Sequence, residues 1–194
     1  MARTASVKRS TGEVDIRVEV DLDGGDVAAD TGVAFFDHML TQLGRHARLG
    51  LSVRAAGDTH VDAHHTVEDT GIALGQALTE ALGDRAGVER FADAAVPIDE
   101  ALARVALDLS GRPYVVRDVQ WPLAVVGHGY ESQLTSHFLE ALATHAGLTL
   151  HVTLERADNG HHAHEAVFKA VAVALRRAVA VTGAGVPSTK GVLG

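Results

Sequence analysis

The sequence predicts an α+β fold built by tandem duplication: two ββαβα units whose sheets pack against helices. Three observations carry that expectation. Val14, Ile16, Val18, Val20 and Leu22 alternate with Asp15, Arg17, Glu19 and Asp21, the period-two pattern of an antiparallel strand with one buried face. The stretch from Glu100 to Gly111 lines up with Glu13 to Gly24, repeating Glu, Arg, Val, Asp, Leu and Gly at the same steps. His64-His65-Thr66-Val67-Glu68 returns ninety-seven residues later as His161-His162-Ala163-His164-Glu165.

In chain order, the first strand is followed by Asp23-Gly24-Gly25, which reads as the turn of a hairpin. Asp37 is a suitable N-cap for a helix reaching about Leu49. A short strand from Leu49 to Ala55 and a loop from Gly57 to Ala63 lead into a helix over His64–Leu82. The second half repeats the order. A strand over Glu100–Gly111 pairs with one from Tyr114 to Val119. A helix follows over Ser132–Ala146, then a strand over Leu148–Leu154 and a helix over His161–Val179. The helix at 132–146 carries His137 and His145 eight residues apart, as His38 and His46 are in the first half. Neither half can bury a sheet and its helices alone, so the two pack into one compact unit about a pseudo-two-fold axis. They join near residues 86–95, giving a first repeat at 1–88 and a second at 89–194.

With 194 residues, 46% of them hydrophobic and 22% charged, the chain has the composition of a soluble globular protein with a full core. A net charge of −8 argues against a general nucleic-acid or anionic-membrane surface, so no nucleic-acid or membrane partner is expected. There is no cysteine, hence no disulfide scaffold and no thiolate metal site; any metal is held by nitrogen and oxygen. The N-terminal residues Met1 to Lys8 lack an apolar signal segment, and no run of eighteen apolar residues occurs. A cytoplasmic location is expected.

The repeated His-His-x-x-Glu is the pattern that carries chemistry. Residues four apart share a helix face, so His64 and Glu68 can hold one cation, and so can His161 and Glu165. The adjacent histidine points about 100° away, which places His65 and His162 to reach a different ion. A lone histidine pair near a helix start is usually solvated; its recurrence at matched positions makes it a ligand set. Internal alignment adds His38 and His137, giving eight nitrogen and oxygen donors in two equivalent sets of four. Four donors leave two positions open on an octahedral ion, which suits a chelating substrate.

Gln42 and His46 lie one and two helical turns beyond His38. Lys169 follows Glu165 on its face. Arg90, Arg112 and Pro187-Ser188-Thr189-Lys190-Gly191 offer cations and hydroxyls of the kind that bind phosphate.

These residues carry a family resemblance. Phe36-Asp37-His38-Met39-Leu40, Asp62 to Asp69, His161 to Ala170 and Pro187 to Gly191 resemble, in order and across essentially the whole chain, the imidazoleglycerol-phosphate dehydratases of histidine biosynthesis, in their monofunctional form. The resemblance implies a ribosomal protein S5 domain 2-like tandem fold, two Mn²⁺ ions per active site, and a cage-like homo-oligomer of 24 subunits with sites where subunits meet. It groups His64, Glu68, His137 and His162 around one ion and His38, His65, His161 and Glu165 around the other. It also implies loss of water from imidazole glycerol phosphate through a metal-bound imidazolate and a diazafulvene intermediate, giving imidazole acetol phosphate. Glu13 is then the proton acceptor and substrate contact, with Glu100 its unused internal counterpart, and His65 and Glu165 join Glu13 as catalytic residues. His38, His64, Glu68, His161 and Thr189 contact substrate, Gln42 and His46 touch its hydroxyls or phosphate, and Arg90, Arg112, Lys169, Ser188 and Lys190 anchor its phosphate. Two other functions share part of this pattern. A dinuclear hydrolase of a phosphorylated small molecule would use a bridging water on the same donors. A non-enzymatic metal-binding module would have no use for the Ser188-Thr189-Lys190 clasp.

Overall fold

The structure, a computed structural model, describes residues 2–193. Its elements are β1 (Thr4–Ser10), β2 (Val14–Asp21), β3 (Val27–Asp30), α1 (Ala34–Ala47), β4 (Gly50–Gly57) and α2 (His64–Leu82). The second series is β5 (Phe91–Ile98), β6 (Ala101–Asp108), β7 (Tyr114–Asp118), a small hairpin β8 (Val125–Val126) and β9 (Tyr130–Glu131), α3 (Gln133–Ala146), β10 (Thr149–Arg156) and α4 (Gly160–Ala178). Two four-stranded sheets result, ordered β1-β2-β4-β3 and β5-β6-β10-β7. The duplicated α+β architecture expected from sequence is present.

Two strands lie outside the expected ββαβα pattern. β1 and β5 pair antiparallel with β2 and β6, so the true hairpin turns lie at residues 11–13 and 99–100. The segment after Asp23-Gly24-Gly25 does not fold back on β2; β3 pairs parallel with β4. Likewise β7 runs parallel to β10 instead of completing a hairpin with β6. The reason is burial: β1 buries only Val7 and β5 only Ala94, too little for an alternating pattern to show. β5 also begins inside the stretch expected to join the halves. Asp37 is not an N-cap, because α1 starts at Ala34 with Val33 as its cap residue. Its carboxylate instead accepts from the Thr31 amide and hydroxyl at 2.8 and 2.6 Å.

Each sheet covers its inner face with helices, and the helices of the two halves meet. α2 packs on α3 and α1 on α4. Ile16 and Val18 of β2, Val105 and Leu107 of β6, and Phe36, Leu74, Phe138 and Phe168 from the four helices belong to one continuous buried cluster. α2 approaches α3 closely because Gly71 and Gly75 face it. A Cβ at Gly71 would sit 2.8 Å from the Phe138 carbonyl oxygen, and one at Gly75 2.7 Å from that of Leu142. The crossed packing sets the starts of α2 and α4, with their histidine pairs, against α3 and α1.

Candidate metal and phosphate sites

At the start of α2, His64 Nε2 donates to Glu68 Oε2 at 3.0 Å, and the His137 ring from α3 lies 4.8 Å, centroid to centroid, from that of His64. At the start of α4, His161 Nε2 donates to Glu165 Oε2 at 2.9 Å, and His38 Nε2 from α1 lies 3.6 Å from the same oxygen. The donor atoms of His38, His161 and Glu165 fall within 4.8 Å of one another. Among the described residues, only this second set brings three of its four expected donors within reach of one ion; the first has His64 bonded to Glu68 with the His137 ring beside it. Nitrogen and carboxylate oxygen with no sulfur suit a divalent ion such as Mn²⁺, and the donor types of both sets fit one.

His65 and His162 complete neither set within the chain. His65 Nδ1 donates to Asp58 Oδ2 at 3.0 Å, and its Nε2 lies 3.7 Å from Glu13 Oε1. His162 Nδ1 donates to Glu100 Oε2 at 2.9 Å. The carboxylates raise both imidazoles above their ordinary pKa through these hydrogen bonds. Glu100 falls to about 2, first through His162 and then through the backbone amide of Asn159. Local structure orients each pair. The Asp62 carboxylate accepts from the His64 amide at 2.7 Å, while Asn159, the N-cap of α4, accepts from the amides of His161 and His162.

Around His38, the expected polar face is present. His46 Nε2 donates to Gln42 Oε1 at 3.1 Å. Burial and then the charge of Lys169 depress the His46 pKa. Lys169 Nζ pairs with Glu165 at 2.5 Å. Burial acts to raise the Glu165 pKa, but Lys169, His161 and His38 outweigh it and leave the carboxylate favoured.

A third locus lies elsewhere. Arg90, Arg112, Pro187, Ser188, Thr189 and Lys190 line a cleft of about 620 Å³. The C-terminal tail is pinned there by backbone bonds, Gly87 N to Gly185 O and Thr182 N to Gly87 O. Arg90 is more committed than expected: its Nε and Nη2 pair with Asp108, and Nη1 donates to the Pro187 carbonyl at 2.7 Å. It shapes the cleft; among the described residues Arg112 and Lys190 have no such carboxylate pairing.

Two contributors carried no signal in the sequence. Asp58 contacts His65 across a turn seven residues long. His164, fully buried, stacks on Trp121 at 4.0 Å. Since Ser132 Oγ donates to the Leu123 carbonyl, it accepts from His164 Nε2 at 3.0 Å. His164 Nδ1 in turn accepts from Thr135 at 2.9 Å. Burial lowers the His164 pKa to about 3, so this ring is neutral and belongs to the packing between α4 and the 121–135 segment.

Residues 31–175 match the family imidazoleglycerol-phosphate dehydratase. The chain is 58% identical to the imidazoleglycerol-phosphate dehydratase of Frankia casuarinae, with all of both chains covered. It is 54% identical to that of Acidiphilium cryptum, again over all of both. Among solved structures, the Staphylococcus aureus imidazoleglycerol-phosphate dehydratase superimposes with a TM-score of 0.84 at 36% identity, covering 92% of this chain and 99% of that one. The Pyrococcus furiosus enzyme gives 0.82 at 37%, covering 96% and 100%. The chain belongs to the imidazoleglycerol-phosphate dehydratase family, a family of hydro-lyases.

Proposed function

We propose that this member of the family removes water from D-erythro-imidazole glycerol phosphate to give imidazole acetol phosphate, in the cytoplasm, with two Mn²⁺ ions per site. In this reading the active sites lie between subunits of a 24-subunit cage, and the repeat halves 1–88 and 89–194 act as one catalytic unit. The observation that carries it is the separation of parts within one chain. His161 and Glu165 stand at the start of α4, whereas the phosphate cleft adjoins its end, where the Arg90 amide bonds the Ala178 carbonyl. Nineteen helical residues span about 28 Å at 1.5 Å each, far more than a three-carbon phosphate ester covers. A donor set and a phosphate cleft serving one substrate therefore come from different copies. The outward-facing His65 and His162 are available for the same reason. His162 of another copy joins His64, Glu68 and His137, and His65 of another copy joins His38, His161 and Glu165.

The ions, when bound, would orient the imidazole and act on it as Lewis acids. Glu13, beside His65 at the β1–β2 turn, takes the proton from the carbon next to the one losing its hydroxyl. The electrons of that C–H bond form the double bond, hydroxide leaves and takes up a proton to become water, Glu13 gives its proton up to solvent, and the enol becomes the ketone. Gln42 and His46 face the glycerol hydroxyls. Arg112, Ser188, Thr189 and Lys190 hold the phosphate in a cleft shaped by Arg90. Lys169 keeps Glu165 ionised for its ion.

The test is turnover of imidazole glycerol phosphate by metal-depleted protein with and without Mn²⁺. Ketone product formed only with metal, and without release of inorganic phosphate, is expected. Phosphate release, or equal turnover in protein shown by elemental analysis to be metal-free, would overturn the reading.

A further inference from the structure

The two outward-facing histidines are held by carboxylates that are not each other's counterparts. In the second half, Glu100 at the β5–β6 turn takes His162 Nδ1 on Oε2, while its Oε1 accepts from the amides of Asp158 and Asn159 at 3.3 and 2.8 Å. Both oxygens are engaged. In the first half the internal equivalent of Glu100 is Glu13, yet Glu13 does not reach His65 Nδ1; Asp58 does. Asp58 can do so because the link from β4 to α2 runs over residues 58–63, whereas the link from β10 to α4 needs only 157–159. The extra residues form a turn, with the Val61 amide bonded to the Asp58 carbonyl at 2.7 Å. The Asp58 amide also bonds the Glu13 carbonyl at 3.1 Å, extending the β2–β4 ladder by one step. One residue thus fixes the backbone of Glu13 and the ring of His65 together.

We infer that Asp58 and Glu100 are the positioning carboxylates of His65 and His162, one each, and that Asp58 frees the Glu13 side chain to act on substrate. A ligating histidine donates its other ring N–H to a carboxylate, which fixes its tautomer and aims the free nitrogen at the ion. With Nδ1–H committed to Asp58, His65 presents Nε2 outward on the side of Glu13. This inference rests on the metal-binding reading above, but its test needs no substrate.

The experiment measures Mn²⁺ bound per subunit by equilibrium dialysis and elemental analysis across a range of free metal, using the assembled protein. Asp58→Ala and Glu100→Ala should each weaken one of the two ions by about ten- to a hundredfold and leave the other unchanged. Asp58→Asn and Glu100→Gln keep an oxygen acceptor for the ring N–H, so they should restore most of that affinity. A merely structural role would not separate the amide variants from the alanines. Glu13→Ala should leave both affinities unchanged. The inference fails if Glu13→Ala weakens an ion as much as Asp58→Ala does, or if Asp58→Ala binds both ions normally. Should Asp58→Ala not fold, Asp58→Ser, too short to reach the ring, takes its place with the same two outcomes. A wild-type protein that binds two ions but does not dehydrate the substrate would sink the dehydratase reading and leave this one standing.

Discussion

The starts of α2 and α4 offer the same donors in different surroundings. Around His64, Glu68 and His137, the positions one turn further along the helices are Ile72 and Ala141, in an open groove with His145 and Thr144. Around His161, Glu165 and His38 the corresponding positions are Lys169 and Gln42, with His46 bonded to Gln42. Beneath the donors, Val67 in α2 becomes His164 in α4. Glu13, which holds no ring N–H, becomes Glu100, which holds His162. Duplication supplied two matched sets of candidate ligands. Divergence around them left one half an uncommitted carboxylate and gave the other polar arms, which the proposed function assigns to a hydroxylated substrate. A dehydration needs one base and one substrate orientation, so full symmetry in these neighbours would serve no purpose.

In the proposed function the two sets share metal across copies, so metal removal has the largest expected effect: ligands drawn from separate chains would turn metal affinity into association energy. Light scattering should show a very large particle with Mn²⁺ and a much smaller species after chelation and dialysis. A monomer with two ions fully bound at micromolar concentration would contradict the shared sites.

Next comes the pair Glu13→Gln and Glu100→Gln. Glu13→Gln should lower turnover by about a hundredfold or more, the usual scale for a lost general base, with metal content intact. Glu100→Gln keeps the acceptor for His162 and should cost only a few-fold. Equal losses would show that the two carboxylates have not diverged in role. Glu68→Gln and Glu165→Gln should differ from both by losing metal together with activity.

The candidate donors stood out in the sequence because duplication wrote them twice. The contacts of His64 with Glu68 and of His161 with Glu165, with His65 and His162 turned away, follow from the spacing of four and the 100° step between adjacent helix residues. Asp58 was not legible, because no counterpart in the second half repeats it and its link to His65 depends on the fold of one turn. β1 and β5 were missed because an edge strand burying one side chain leaves no alternation to detect. Arg90 illustrates a different limit. Its charge marked it as a phosphate ligand, but only packing reveals that Asp108 already satisfies two of its donors.

A smaller effect sharpens the comparison between the helix pairs. Gly75 in α2 has Ala172 as its counterpart in α4, and a Cβ added to the glycine would sit 2.7 Å from the Leu142 carbonyl oxygen of α3. Gly75→Ala should destabilise the metal-free protein by about 1–3 kcal/mol through overpacking. It should also weaken the ion bound near His64 and His137, since α2 and α3 must move apart. Denaturant titration and Mn²⁺ binding check the two parts. An unchanged midpoint would mean that the close approach is not required.

The last expectation concerns Val67 and His164. His164→Val makes the second half resemble the first, but it removes the ring's bonds to Ser132 and Thr135, leaving Ser132 on the Leu123 carbonyl and Thr135 on Tyr130. At pH 7 the variant should therefore be less stable than wild type by about 1–3 kcal/mol, the cost of two buried hydrogen bonds lost. The difference should shrink in acid. Burial holds the folded-state pKa of His164 at about 3, below its ordinary 6.5, so the unfolded chain binds a proton that the folded chain refuses. Stability from this group is full above the unfolded value and falls as pH drops below it. Between pH 7 and pH 5 the wild type should lose roughly 1–2 kcal/mol that the valine variant does not lose. Denaturant titrations of both metal-free proteins at the two pH values isolate the effect, because the other histidines titrate alike in each. A stability gap that stays constant between pH 7 and pH 5 would show that His164 is not held neutral by its packing against Trp121.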